Sequence, residues 1–250
     1  MKEVINSGQP LAKGVRLSLT LEDQAPNCEI KINELVYNLA ELSKGGKKVV
    51  DIGCGFGRTK NTVEKAGGIW VGVEPFEGGA QTVIASAEDL PFEDESFDVV
   101  IMTSVVEHVP NVELAFKEIG RILKKGGVFV GYIAFMECFH EISYSHLSFK
   151  GIENYAAKNG MKLEVISGGR RFGIDYHLAV LMAPFSIEWL RGFIAFKIRL
   201  HIKIKSKLYY LKYRFREKLS SEKASAKSTL YYKVECLRMS NGFNHVIRKL

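Results

Sequence analysis

Little in this 250-residue chain suggests disulfides, bound metal or a membrane span. Its four cysteines, Cys28, Cys54, Cys138 and Cys236, are scattered with no CxxC pair. That spacing gives no sign of a zinc site or a dithiol redox centre, and no metal is expected. It also points to a reducing, cytoplasmic compartment. Met1–Pro10 has no apolar core segment, so it does not read as a signal peptide. No stretch reaches the ~18–20 uninterrupted apolar residues of a spanning helix. The best window is broken by Glu188 and Arg191. There is no internal repeat. With 46% apolar and 25% charged residues, the chain has the balance of a globular protein with a buried core.

Charge is divided sharply along the chain. Residues 186–250 carry 16 Lys or Arg against 4 Asp or Glu, and residues 1–185 carry 19 against 24. Any partner inferred from basicity therefore belongs to the last quarter.

Three regions follow. Residues 1–28 are irregular, punctuated by Gly8, Pro10, Gly14 and Pro26. Residues 29–185 read as one α/β domain. Ile32, Leu35, Val36, Leu39 and Leu42 recur at helical spacing, predicting a helix over 29–43. Short apolar runs then alternate with helical patterns. Strands are expected at Lys48–Ile52, Ile69–Val73, Thr82–Ala85, Phe97–Met102 and Val128–Ile133, and helices at Arg58–Ala66 and from Asn111 to Leu123. Such alternation predicts a mostly parallel sheet covered on both faces. Ser148 should cap a helix to Lys158. Met161–Ile166 and Tyr176–Met182 then read as a terminal antiparallel hairpin at the sheet edge. Residues 186–250 read as a basic amphipathic helical tail.

The strongest motif is Val49-Val50-Asp51-Ile52-Gly53-Cys54-Gly55-Phe56-Gly57. Glycines at a strand end let the backbone turn tightly and approach a ligand that a side chain would block. The spacing is GxGxG and not the GxGxxG of a pyrophosphate-binding dinucleotide fold. The preceding Asp51 suits a cationic ligand better than a phosphate. Glu74, 23 positions further on at the end of the second strand, can accept both hydroxyls of a ribose. Taken alone, the glycines also read as a simple turn, and Glu74 as a surface carboxylate.

Further segments join this pattern: Val71–Glu74, Ala85-Ser86-Ala87-Glu88-Asp89-Leu90-Pro91-Phe92, Ser96–Val100, Glu107-His108-Val109 and Leu123–Gly127. In this order and spacing the chain resembles the class I S-adenosylmethionine-dependent methyltransferases, in the methyltransferase type 11-like group that includes ubiquinone and menaquinone methylases. The resemblance spans residues 47–133. It implies a Rossmann-like fold of seven strands, with S-adenosylmethionine as cofactor. Asp51, Gly53, Cys54, Gly55 and Gly57 would line the methionine moiety and sulfonium, and Glu74 would hold the ribose. Ala87 would meet the adenine through its backbone, with Ser86 or Glu88 beside the exocyclic amine. Thr103 and Ser104 would border the methionine end. Ser86 departs from the Asp or Asn of many relatives, which leaves the adenine contact less defined.

Methyl transfer asks the protein to align an acceptor with the methyl carbon and to exclude water. For a hydroxyl acceptor, a base that removes the proton helps. In this class acceptor residues follow the fourth and fifth strands, which directs attention to Phe135–Phe149. His140 is the first candidate base and His146 the second. His108 reads equally as an active-site wall or as polar filling before Pro110, and each histidine also reads as loop packing. A looser resemblance, a His–aromatic stretch followed by a capped helix, connects the segment to methyltransferases of cell-surface glycans. The expectation is O-methylation of a small or glycan- or lipid-linked acceptor. A quinone-type carbon methylase and a catalytically silent, cofactor-binding scaffold remain alternatives.

Trp189, Phe193, Phe196, Leu200, Ile204, Leu208, Leu211 and Phe215 form one stripe at helical spacing, although Phe196–Ile204 also alternates like a strand. Length and the lack of Gly and Pro favour a helix. A second helix is expected at Thr229–Met239. Flanked by Lys and Arg, the stripe suits an anionic membrane surface, which would make the protein peripheral at the inner membrane face. Packing on its own domain or on a second subunit stays open. Nucleic acid is least favoured, since the aromatics form a stripe and not isolated stacking platforms.

Overall fold

A computed structural model of the protein describes residues 25–32, 34–136, 142–168, 178 and 188–250. Eight strands form a single sheet: β1 (Glu29–Ile32), β2 (Lys48–Ile52), β3 (Ile69–Glu74), β4 (Val83–Ile84), β5 (Phe97–Thr103), β6 (Leu123–Ala134), β7 (Met161–Gly168) and β8 (Gly242–Lys249). Their order across the sheet is β1-β7-β8-β6-β5-β2-β3-β4. Every neighbouring pair is parallel except those made by β8, which runs antiparallel between β6 and β7.

The apolar runs of β2, β5 and β6 follow from burial on both faces. Successive side chains point to opposite sides of a strand. Val50, Val100, Met102 and Phe129 therefore enter one core with Phe116, Ile119 and Ile152. Val49, Val99, Ile101, Val128 and Val130 enter a second core with Val63 and Trp70. The helices α1 (Leu39–Ser43), α2 (Lys60–Lys65), α3 (Val112–Ile122) and α4 (Phe149–Lys158) cover these faces. Asn111 and Ser148 cap α3 and α4 as expected, accepting from the N–H groups of Leu114 and Gly151.

Two expectations are corrected. Residues 29–32 are not helical. They pair in parallel with Val165–Gly168 as an eighth, edge strand, burying Ile30, and the helix is confined to Leu39–Ser43 behind the Asn38 cap. A free sheet edge here outweighs the local helical periodicity. The antiparallel strand of the sheet is Gly242–Lys249, from the segment read as a helical tail. It occupies an internal position and not the edge. The expected strand Tyr176–Met182 lies outside the described residues apart from Leu178.

The basic segment is thus tied down beyond its helices. Helix α5 (Glu188–Leu211) passes through a π-turn at Lys212–Arg216 into α6 (Ser221–Arg238), which begins earlier than expected because Ser220 caps it. Gly242 of β8 lies opposite Ala134 of β6, and Phe243 opposite Gly168 of β7. The chain therefore leaves β7 and re-enters β8 at the carboxyl edge of the parallel strands. Among the described residues no helix is long and apolar enough to cross a membrane.

Candidate functional site

A cleft of about 680 Å³ opens at that carboxyl edge, where β2, β3 and β5 end. Its volume is that of a small-molecule site. The described walls include Gly53, Glu74, Ser86, Ala87, Glu88, Thr103, Ser104, His108 and Tyr144. Eight of these are residues singled out from the sequence. Tyr144 comes from the aromatic stretch read as the acceptor side.

The glycine loop makes the floor. Gly53 has φ +72°, and a Cβ there would lie 2.2 Å from Cγ2 of Val105. Only glycine allows the chain to turn so close to β5's exit. The loop is then fastened to β3: the Gly55 N–H donates to Oε1 of Glu74 at 2.6 Å, and the Gly53 N–H to the Val73 carbonyl at 2.9 Å. The second oxygen of Glu74 accepts no hydrogen bond among the described residues, and the side chain lines the cleft. Gly57, at φ +68°, closes the loop against Ala80.

Asp51 does not line the cleft. It is 4% exposed beneath the loop, where its Oδ2 accepts from the Thr59 hydroxyl. Trp70 Nε1 donates to the same hydroxyl at 3.0 Å, so an indole, an alcohol and a carboxylate form one chain. Burial pushes the Asp51 carboxyl up to about 6. The bonds from Thr59 and Trp70 oppose that rise, and the negative charge of Glu74 adds to it. Two carboxylates close enough to repel make an electrostatic well for a cation. Cys54 likewise turns away from the cleft into the core around Trp70, and burial pushes its thiol up to about 11, which keeps it protonated.

At the other end, the Ser86 hydroxyl donates to Oε2 of Glu88 at 3.1 Å and accepts from the Glu88 N–H at 3.2 Å. Oε1 of Glu88 accepts from the N–H of Asn111 at 2.7 Å. Both carboxylate oxygens thus already brace the loop against the start of α3. Ser104 holds a left-handed φ of +55° while its N–H bonds Tyr132. Strain of this kind in a non-glycine residue collects where a backbone must present a ligand surface.

The three candidate histidines part company here. His108 lines the cleft, and its Nδ1 lies 2.8 Å from the Ile142 carbonyl. A carbonyl can only accept, so Nδ1 carries the proton and the basic lone pair of the neutral ring sits on Nε2. His146 is not among the cleft walls, and its Nε2 pairs with the Ser143 hydroxyl at 3.1 Å. His140 lies outside the described residues.

One residue escaped the sequence reading. The Tyr37 hydroxyl bonds Thr103 and feels the charge of Asp51, and burial pushes its pKa up. It therefore stands beside the end of β5, at the methionine end of the expected cofactor position. Its position just before the Asn38 cap was the available signal, masked by the longer helix expected over 29–43.

Residues 50–131 match the family described as "Methyltransferase domain". An uncharacterized methyltransferase of Mycobacterium sp. (strain JLS) is 30% identical over 161 residues, covering 58% of this chain and 64% of the relative. A ubiquinone biosynthesis O-methyltransferase of Agrobacterium fabrum is 36% identical over 97 residues, covering 33% and 39%. The chain spans less than two thirds of the length of these curated relatives. Among solved structures, a putative sarcosine dimethylglycine methyltransferase of Galdieria sulphuraria aligns with a TM-score of 0.50 at 17% identity, covering 84% of this chain and 81% of that one. That last likeness shows the fold.

Proposed function

We propose that this chain, whose residues 50–131 match the methyltransferase-domain family, is a class I methyltransferase that transfers the methyl group of S-adenosylmethionine to an oxygen of a small or glycan- or lipid-linked acceptor. The observation that carries the reading is the joined pair of Glu74 and the Gly53–Gly57 loop. One carboxylate oxygen holds the loop amide and the other is left toward the cleft. The residues present fit the cofactor. Glu74 would hold the ribose diol, the bare backbone at Gly53 would admit the methionine portion, and Ala87 would flank the adenine. The charges of Asp51 and Glu74 would favour a sulfonium. When bound, the cofactor supplies an activated methyl group.

The chain's own contribution is placement and proton removal. Thr103, Ser104 and Tyr37 border the methionine end, while Tyr144 and His108 face the space left for an acceptor. Of the three histidines, His108 is the one whose described position suits a base. Its Nδ1–H is anchored to Ile142, which orients the ring and puts the lone pair of its neutral form on Nε2, the atom that would take a hydroxyl proton. A base at the cleft wall favours oxygen over carbon as the methylated atom.

The test is a methyl-transfer assay over hydroxyl acceptors with the wild type and His108→Gln, alongside calorimetric titration of S-adenosylmethionine. Turnover should fall at least ~100-fold with cofactor affinity unchanged. Near-normal turnover would remove His108 from the mechanism. Absence of any affinity for S-adenosylmethionine or its demethylated product would overturn the whole reading.

A further inference from the structure

The helix α5 carries a feature that methyl transfer does not use. Its buried residues, Ala195, Ile202 and Ser206, lie on one side. They face α6, where the hydroxyl of Ser206 donates to the Ser228 carbonyl at 2.8 Å and that of Ser228 to the Ser206 carbonyl at 2.9 Å. Helix α6 is anchored to the sheet through Val234 and Leu237, which belong to the main core with Ile30 and Ile166. Helix α5 is therefore the outer layer. Its other side exposes Trp189, Phe193, Phe196, Leu200, Ile204, Leu208 and Leu211, continued by Phe215 in the π-turn, each between 38% and 75% accessible. Over α5 this is a ridge about 36 Å long. Monomeric surfaces rarely show so large a contiguous apolar patch without a use for it.

Charge identifies the occupant. Between residues 188 and 216 there are nine Lys or Arg and one Glu. Lys197, Lys203 and Lys207 sit three or four positions from stripe residues, hence on the same side of the helix. All three are exposed, and none is ion-paired among the described residues. Lys197 already folds over the ring of Phe193, its Nζ 5.2 Å from the centroid. Apolar side chains on a convex ridge, interleaved with cations on long stems, match a plane that is oily inside and anionic at its face. A second copy would bring like charges together. The spacing of 4, 3, 4, 4, 4, 3 and 4 also departs from the alternating three and four of a left-handed coiled-coil seam.

We infer that α5 is an interfacial helix that docks the protein on an anionic lipid bilayer, with the stripe from Trp189 to Phe215 in the headgroup–acyl boundary and Lys197, Lys203 and Lys207 at the phosphates. The surface stands on its own observations and survives if the cofactor reading fails. Topology adds a consequence: the α5–α6 segment leaves and re-enters the sheet at the carboxyl edge, where the cleft opens. Docking there would bring a lipid-linked acceptor to the same edge.

The full chain provides its own probe. The protein has two tryptophans. Trp70 is 7% exposed and Trp189 is 75% exposed, so a shift in emission reports on α5. Co-sedimentation would compare vesicles of phosphatidylglycerol mixed with phosphatidylcholine against phosphatidylcholine alone. Binding with a blue shift is expected only with the anionic vesicles. The triple variant Lys197→Gln, Lys203→Gln, Lys207→Gln should lower partitioning on the order of 100-fold. Phe193→Ser with Phe196→Ser should abolish it, and because these rings are exposed the thermal melt should stay unchanged. Equal sedimentation with both vesicle types, or none with either, overturns the inference. So does a concentration-dependent dimer that the serine variant converts to monomer, which would make a second copy the occupant.

Discussion

Replacing Glu74 by Gln tests the cofactor pocket with the least disturbance. The two side chains have the same shape, so the amide oxygen of Gln can still accept from the Gly55 N–H, now without charge assistance. What changes is the second oxygen, which becomes an NH2 donor. A ribose diol offers two hydroxyl protons, and a carboxylate can accept both. A hydrogen bond to a charged group contributes about 1.5–3 kcal/mol, against about 0.5–1.5 for a neutral one. Losing charge assistance on two hydroxyls therefore costs about 2–3 kcal/mol, or roughly 30- to 150-fold in Kd. Removing one of two mutually repelling carboxylates should at the same time ease ionisation of Asp51, which Glu74 now opposes. The assay is calorimetric titration of wild type and variant with S-adenosylmethionine and S-adenosylhomocysteine, with thermal melts to show that the sheet is intact. Both ligands should weaken to a similar degree, because they share the ribose. A variant that melts like wild type and binds within threefold of it, a difference of about 0.6 kcal/mol, would refute Glu74 as the ribose acceptor.

Two further outcomes follow from β8. His245 is fully buried in this strand, packed edge-on to Phe129 at 4.6 Å between centroids, and burial pushes its pKa down to about 3. The unfolded chain takes up the proton near pH 6.5 and the folded one does not, so stability falls as pH drops below 6.5, by about 3 kcal/mol at pH 4. Asp51, raised to about 6, acts in the opposite sense between about pH 6 and 4. The comparison is therefore with His245→Leu, which keeps the Asp51 contribution: in urea unfolding at pH 7 and pH 4 the wild type should lose about 3 kcal/mol relative to the variant, and parallel behaviour would refute the assignment. Ending the chain after Ser240 removes Phe243, Val246 and Ile247 from the core, at about 1.5–3 kcal/mol each, which rivals the whole stability of a domain. Circular dichroism should show no cooperative melt; a soluble chain with a wild-type transition would show that the sheet does not need β8.

How much of this was legible depended on whether the decisive contacts were local. The strands β2, β3, β5 and β6 read from their apolar runs because both faces are buried, and α3 and α4 from periodicity with Asn111 and Ser148 as caps. Gly53, Glu74, Ala87 and Ser104, which line the cleft, were legible since the glycine turn and the strand ends that carry them lie within a continuous motif. Tyr37 was not. Its bond to Thr103 joins positions 66 residues apart, and nothing near it in sequence announces that contact. Asp51 and Cys54 were placed at the ligand because one precedes the glycine loop and the other lies within it. Strand alternation instead turns Asp51 beneath the loop toward Thr59, and the loop packs Cys54 into the core around Trp70.

By itself the sequence determined the alternating α/β order, the glycine turn with its two carboxylates, and the amphipathic nature of the basic segment, all of which depend on neighbours within a few positions. Tertiary structure alone decided that Glu29–Ile32 joins the sheet edge and that Gly242–Lys249 slots between β6 and β7. It also decided which side of α5 stays bare. The reason is that a strand's partner is whatever unpaired backbone the rest of the fold presents, and a helix buries whichever face finds a surface. Neither is encoded in the residues adjacent along the chain.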